Sequence, residues 1–162
     1  MAPSDEVVDA APGAAKQKSS DEAKLKFIAR KVAANQCVLF LGSAIHAPSP
    51  AGSIYNYTYK KCPPIGNQLA KLLATESGYN DEEKSLQRVS QHFEFNLTRQ
   101  PLIAAIEKYV SEGTEPSPVL YALASLKFPL VITTNYDKLY EQAIDTINKR
   151  RAIEEAKKAG VP

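Results

Sequence analysis

Two short apolar runs without polar alternation stand out along this chain: Cys37-Val-Leu-Phe-Leu41, bounded by Asn35 and Gly42, and Pro129-Leu-Val-Ile132. Unbroken runs of that length predict strands buried on both faces, the pattern of a parallel sheet. The second run passes directly into the polar turn Thr133-Thr-Asn-Tyr-Asp137 and then the amphipathic stretch Lys138–Ile144, a strand–turn–helix reading.

Elsewhere apolar residues recur at helical spacing. Leu25, Ile28 and Val32 mark a helix from the Ser-x-x-Glu capping box at Ser19–Glu22 to about Asn35. Leu69, Leu72 and Leu73 mark a second, from Gly66 to Ser77, which stops at Gly78. Asn80–Glu83 opens a third, with Leu86, Val89 and Phe93 on one face. Thr98 caps a fourth, with Pro101 in its first turn, Leu102, Ile103, Ile106 and Val110 inward, and Gly113 at its end. Ser117-Pro118 starts a short fifth carrying Leu120, Leu123 and Leu126, and a sixth begins near Asp137. Between Gly42 and Pro64 no period is visible, and a loop of that length is usually functional or mobile.

The same pattern divides the chain. Residues 1–18 have little to bury and read as a disordered tail. Residues 19–148 form the folded unit. Residues 149–162, with Lys149-Arg-Arg151 and Glu154-Glu-Ala-Lys-Lys158, read as a charged helical C-terminal tail. Two strands are few for a doubly wound sheet, which has about five or six. The expectation is therefore α/β: a Rossmann-like parallel sheet with a helical insertion, incomplete.

Composition narrows the function classes. At 162 residues there is room for one domain with a real core. A formal net charge of +2 is too small to argue for nucleic acid or an anionic membrane as partner. No apolar run approaches the roughly 20 residues of a membrane span, and the acidic N-terminus lacks an apolar signal core. A cytoplasmic location is expected. Cys37 and Cys62 form no CxxC pair and are too few for a zinc tetrad; Cys37 reads as a small buried residue on its strand.

The candidate chemistry lies at the two strand ends. Thr134, Asn135 and Asp137 occupy the carboxyl end of a strand, where parallel sheets present polar groups to ligands. Capping the next helix needs one such side chain, and here there are several. Gly42-Ser-Ala-Ile-His46 follows the first strand, and a glycine there permits a tight turn close to a phosphate. Ala44 stands where most dinucleotide loops have a second glycine, and its methyl would crowd a positive φ or a pyrophosphate. His46 reads as a solvated loop residue and His92, beside Phe93, as a helix-boundary residue. Tyr55, Tyr57 and Tyr59 read as a half-buried loop, and Asn96-Leu-Thr98 as a helix cap.

Taken together, Val38-Leu-Phe-Leu-Gly-Ser-Ala-Ile-His46, Pro64-x-Gly-x-x-Leu-Ala70, Ser117-Pro118-x-x-x-x-Leu123-Ala124 and Phe128-Pro-Leu-Val-Ile-Thr-Thr-Asn-Tyr-Asp-Lys-Leu-Tyr-Glu141 come in the order and spacing of sirtuin-like domains. The chain most resembles the zinc-free branch found in bacterial NAD-degrading antiphage-defence proteins, over about residues 24–148. The resemblance implies the front half of a sirtuin-like fold that takes NAD or ADP-ribose and no metal. It leaves open a homo-oligomer or further C-terminal domains in a parent protein. It implies that Gly42, Ser43 and Ala44 meet the pyrophosphate, with Thr134 beside them in the cofactor-binding set. Asn135 would be the catalytic residue, holding the nicotinamide ribose and orienting the nucleophile or water, and Asp137 would lie near the nicotinamide end. The chemistry implied is scission of the nicotinamide–ribose bond through an oxocarbenium-like transition state.

Two departures qualify the resemblance. The first loop reads Gly-Ser-Ala-Ile-His where the family usually has Gly-Ala-Gly-x-Ser. The family's catalytic histidine, often in a Lys-x-His-Gly stretch beyond the helix after the asparagine, has no counterpart here. Loss of a general base typically costs about 10²–10⁴-fold, so this polypeptide alone is expected to be a poor catalyst. The expectation is an NAD glycohydrolase-like domain. The alternatives are a non-catalytic nucleotide-binding or assembly module, and an unrelated α/β domain whose two turns are purely structural.

Overall fold

The computed structural model describes residues 12–57, 59–83 and 85–160. In chain order the elements are α1 (Pro12–Ala33), β1 (Val38–Leu41), α2 (Gly66–Ser77), α3 (Leu86–Leu97), α4 (Arg99–Ser111), α5 (Pro118–Ser125), β2 (Leu130–Thr133) and α6 (Leu139–Lys158). Short 3-10 turns at Ser43–His46 and Tyr59–Lys61 interrupt the loop between β1 and α2. The protein is mixed α/β and mostly helical, with a small two-stranded parallel sheet. Val38 pairs with Leu130 and Leu41 with Thr133. Among the described residues no helix is long and apolar enough to cross a membrane.

Several boundaries follow from local chemistry as expected. α2 ends where Gly78 takes a left-handed φ of 68°, a conformation that costs a side-chain-bearing residue more. α5 starts at Pro118 behind Ser117, whose hydroxyl accepts the Leu120 amide at 3.2 Å.

Others differ. α1 begins at Pro12, upstream of the Ser19 box, because Ala14, Ala15, Lys16, Gln17 and Lys18 are all good helix formers. It thus takes in part of the expected disordered tail; residues 1–11 lie outside the described residues. α3 begins at Leu86, capped by Ser85, and not at Asn80–Glu83. The buried Tyr79 donates its hydroxyl to the Glu83 carbonyl at 3.2 Å and holds that stretch as a turn. Thr98 makes no side-chain cap for α4, because its backbone already closes α3 on the Glu94 carbonyl at a φ of 71°.

Two apolar clusters form. One joins α2, α3 and α4 through Leu69, Leu73, Val89, Phe93, Leu102 and Ala105. The other packs Leu39, Leu41 and Val131 of the sheet against Leu120 of α5 and Leu139, Tyr140 and Ala143 of α6. Both helices of the second cluster cover the same face. Side chains alternate across a strand, so Val38, Phe40, Leu130 and Ile132 lie on the opposite face, 42–64% exposed. Burial on both faces, expected from the sequence, is therefore not observed among the described residues. Leu25 and Ile28 of α1, expected inward, are likewise exposed, and Cys37 is half-buried just ahead of β1.

Candidate functional site

Because β1 and β2 run parallel and in register, both turns leave the sheet at one edge. The Thr134 amide donates to the Leu41 carbonyl at 3.1 Å, extending the ladder one step past β2. The Thr133 hydroxyl accepts the Asn135 amide at 3.1 Å and bends the chain away. On the other strand the Ile45 amide donates to the Gly42 carbonyl and the Ala47 amide to that of Ala44, both at 3.0 Å. That tight turn carries His46 into the fold.

There His46 Nε2 lies 2.9 Å from Asp137 Oδ2, with the two side chains 3% and 7% exposed. The reading of His46 as a solvated loop residue is thereby overturned. Its local sequence gives no sign of this, since the partner lies 91 positions away. Asp137 Oδ1 accepts the Leu139 amide at 2.9 Å, so one carboxylate both steadies the start of α6 and holds the histidine. Asn135 takes no part in capping that helix; its Nδ2 lies 3.4 Å from His46 Nε2.

Burial alone would raise the Asp137 carboxyl, but the hydrogen bond from His46, the Leu139 amide and the attraction of His46 outweigh it and hold it below the usual carboxylate range. Asp137 is thus an acceptor-only carboxylate at neutral pH, and Nε2 of His46 carries the proton between them. The Asn135 contact at 3.4 Å adds no second bond to that committed nitrogen. His46 Nδ1 and Asn135 Oδ1 are both buried with no hydrogen-bond partner among the described residues. An unsatisfied buried polar atom costs about 1–3 kcal/mol.

The side chains of His46, Asn135 and Asp137 line a cavity of about 180 Å³. Ser43, His46, Thr134, Asn135 and Asp137 form its polar wall, and Pro63, Pro64, Leu69, Leu86 and Val110 the apolar one. Drug-sized ligand pockets run from about 300 to 1,000 Å³, so this one encloses a ring-sized fragment and not a whole dinucleotide. Tyr136, 63% exposed, stands at the rim and also borders two adjoining surface hollows.

A tyrosine outside the expected set supports the site from the β1–α2 loop. Tyr57 donates its hydroxyl toward the carbonyls of Lys61 and Glu115 at 3.0 and 2.9 Å, tying that loop to the α4–α5 connection. Burial, the neighbouring Cys62 and the negative charge of Asp137 all push its phenol upward, so it stays neutral. The half-buried state of Tyr57 agrees with the loop reading.

Of the other sequence candidates, Ser43, Thr134, Asn135 and Asp137 come together at the cavity. Gly42 lies beside them but does not line it; a Cβ there would meet Thr134 Oγ1 at an ordinary 3.8 Å. Its backbone is extended, so the fold itself does not demand a glycine at this position. Ala44 is exposed and outside the lining. His92 is half-buried, as expected, in an edge-on ring contact with Tyr79 at 5.0 Å, and does not line the cavity. Among the described residues no three His, Cys, Asp or Glu side chains converge as metal ligands.

Compared with known proteins, the chain has no matching family model, no matching curated protein and no matching solved structure.

Proposed function

We propose that this chain is the NAD-binding front half of a Rossmann-like, sirtuin-like domain, acting on the nicotinamide–ribose bond in a cytoplasmic antiphage-defence setting. One observation carries the reading. The polar side chains of His46, Thr134, Asn135 and Asp137 line one wall of a ring-sized cavity at the shared carboxyl edge of two parallel strands. Ligands of open α/β sheets bind at that edge.

The residues fit such a ligand. Ribose hydroxyls suit the polar wall of Ser43, Thr134 and Asn135, and the apolar wall of Leu69, Leu86 and Val110 suits a flat ring. Thr134 and Asn135 hold the ribose in this reading, and Asp137 lies at the nicotinamide end. Gly42 and Ser43 border the path of the pyrophosphate. Ala44, exposed and outside the lining, contributes least of the expected set. NAD supplies a quaternised nicotinamide as leaving group, and the chain supplies orientation.

The test is calorimetric titration of NAD and of ADP-ribose into the full chain. Saturable binding is expected, weakened at least tenfold by Asn135→Ala. No saturable heat with either ligand would overturn the proposal, as would unchanged affinity in a folded Asn135→Ala.

A further inference from the structure

We propose that two copies of this chain associate by exchanging α1, the apolar stripe of each helix lying on the open sheet face of the other copy. None of the residues that make these two surfaces lines the cavity described above, so the association stands apart from the NAD reading.

Two apolar surfaces of the chain stand open. The first is the sheet face of Val38 and Phe40 on β1 beside Leu130 and Ile132 on β2, paired in register and 42–64% exposed. The second is the stripe Leu25, Ile28 and Val32 of α1, whose first two residues are 66% and 52% exposed. Parallel sheets ordinarily carry helices on both faces, and among the described residues α5 and α6 cover only one. The dimensions of stripe and face match. Two strands about 4.8 Å apart make a strip about 10 Å wide, the diameter of one helix. The stripe rises about 10 Å from Leu25 to Val32, against roughly 10–13 Å for a four-residue strand.

The C-terminal cap of α1 holds the helix off its own sheet. Asn35 takes a left-handed φ of 57°; its amide donates to the Val32 carbonyl and the Gln36 amide to the Lys31 carbonyl, both at 2.9 Å. That double closure is a Schellman motif, and Lys31 Nζ braces it by donating to Gln36 Oε1 at 2.9 Å. It sets the stripe facing Leu126 across a groove of about 650 Å³ that no strand residue lines. The helix that matches the open face is therefore the α1 of a second copy, and two-fold symmetry makes the exchange reciprocal. Leu25, Ile28, Val38, Phe40, Leu130 and Ile132 expose on the order of 600 Å² per copy, so a reciprocal pair buries about 1,200 Å² through them, the lower bound of a standard-size interface. The dimer is accordingly weak: monomer near about 1 µM and dimer near about 500 µM.

The experiment is sedimentation equilibrium of the full chain across that concentration range. The mass should rise from 17.7 kDa toward twice that value. Ile28→Glu on the stripe and Phe40→Glu on the face should each raise the dimer dissociation constant at least tenfold. Both side chains are already exposed, so both variants should keep the helical circular dichroism of wild type; Leu130→Gln replaces Phe40→Glu if the latter fails to fold. Phe95→Glu, at an 89% exposed position outside both surfaces, should dimerise as wild type does. An equimolar mixture of Ile28→Glu and Phe40→Glu should associate more tightly than either alone, because one intact stripe then meets one intact face. Wild type that stays monomeric at every concentration would leave the face to a different polypeptide and overturn the exchange. A folded face variant that dimerises as wild type does, or a mixture no tighter than its parts, overturns it as well.

Discussion

Asp137→Asn tests the physical basis of the site apart from any ligand. The native carboxylate accepts two hydrogen bonds, from His46 Nε2 and from the Leu139 amide, each at 2.9 Å. Asparagine keeps the second through its amide oxygen. It exchanges the first, a charge-assisted bond worth about 1.5–3 kcal/mol, for a neutral one worth about 0.5–1.5, a net loss of about 1–2 kcal/mol at pH 7. With a urea m-value of about 2 kcal/mol/M, the unfolding midpoint falls by about 0.5–1 M.

The pH dependence carries a sign. The folded state holds Asp137 ionised below the pH at which the unfolded chain protonates it. Through that window the unfolded state binds more protons, so stability rises with pH. The contribution is complete above the unfolded value near 3.9 and is lost as pH falls through the lower folded value. Urea unfolding of both proteins at pH 7, 5, 4 and 3 should therefore show a gap that is full at pH 7 and 5 and narrows toward pH 3. A gap that is absent at pH 7, or constant down to pH 3, refutes a buried carboxylate held by His46.

Two predictions concern the cores. Phe93, fully buried among α2, α3 and α4, should cost about 3–5 kcal/mol on truncation to alanine, read by urea unfolding. On β1, Leu41→Ala should cost about 2–5 kcal/mol, whereas Phe40→Thr on the open face should stay within about 0.5 kcal/mol. Equal effects at the two positions would contradict the one-sided packing of the sheet.

Much of the local structure was legible because its causes are local. Unbroken apolar runs placed β1 and β2 to within a residue. Gly78 ended α2, and Ser117-Pro118 opened α5, each through backbone geometry or a cap confined to a few neighbours. The failures have longer-range causes. The start of α3 was misplaced because Tyr79, anchored in the first core, bonds the Glu83 carbonyl and keeps the acidic stretch from coiling. Thr98 looked like a cap by residue type, but its backbone was already committed to closing α3.

The candidate site divides along the same line. Residue types and strand ends, read from the sequence alone, placed Ser43, Thr134, Asn135 and Asp137 at the carboxyl ends of the two strands, since strand, turn and helix signals there are contiguous, and the four line one cavity. Only the tertiary structure decided that His46 joins them, because a contact across 91 residues depends on parallel pairing that brings two turns to one edge. It also decided which face of the sheet is covered. In a run with no polar alternation every residue is a candidate for the core, and the choice falls to where α5 and α6 pack.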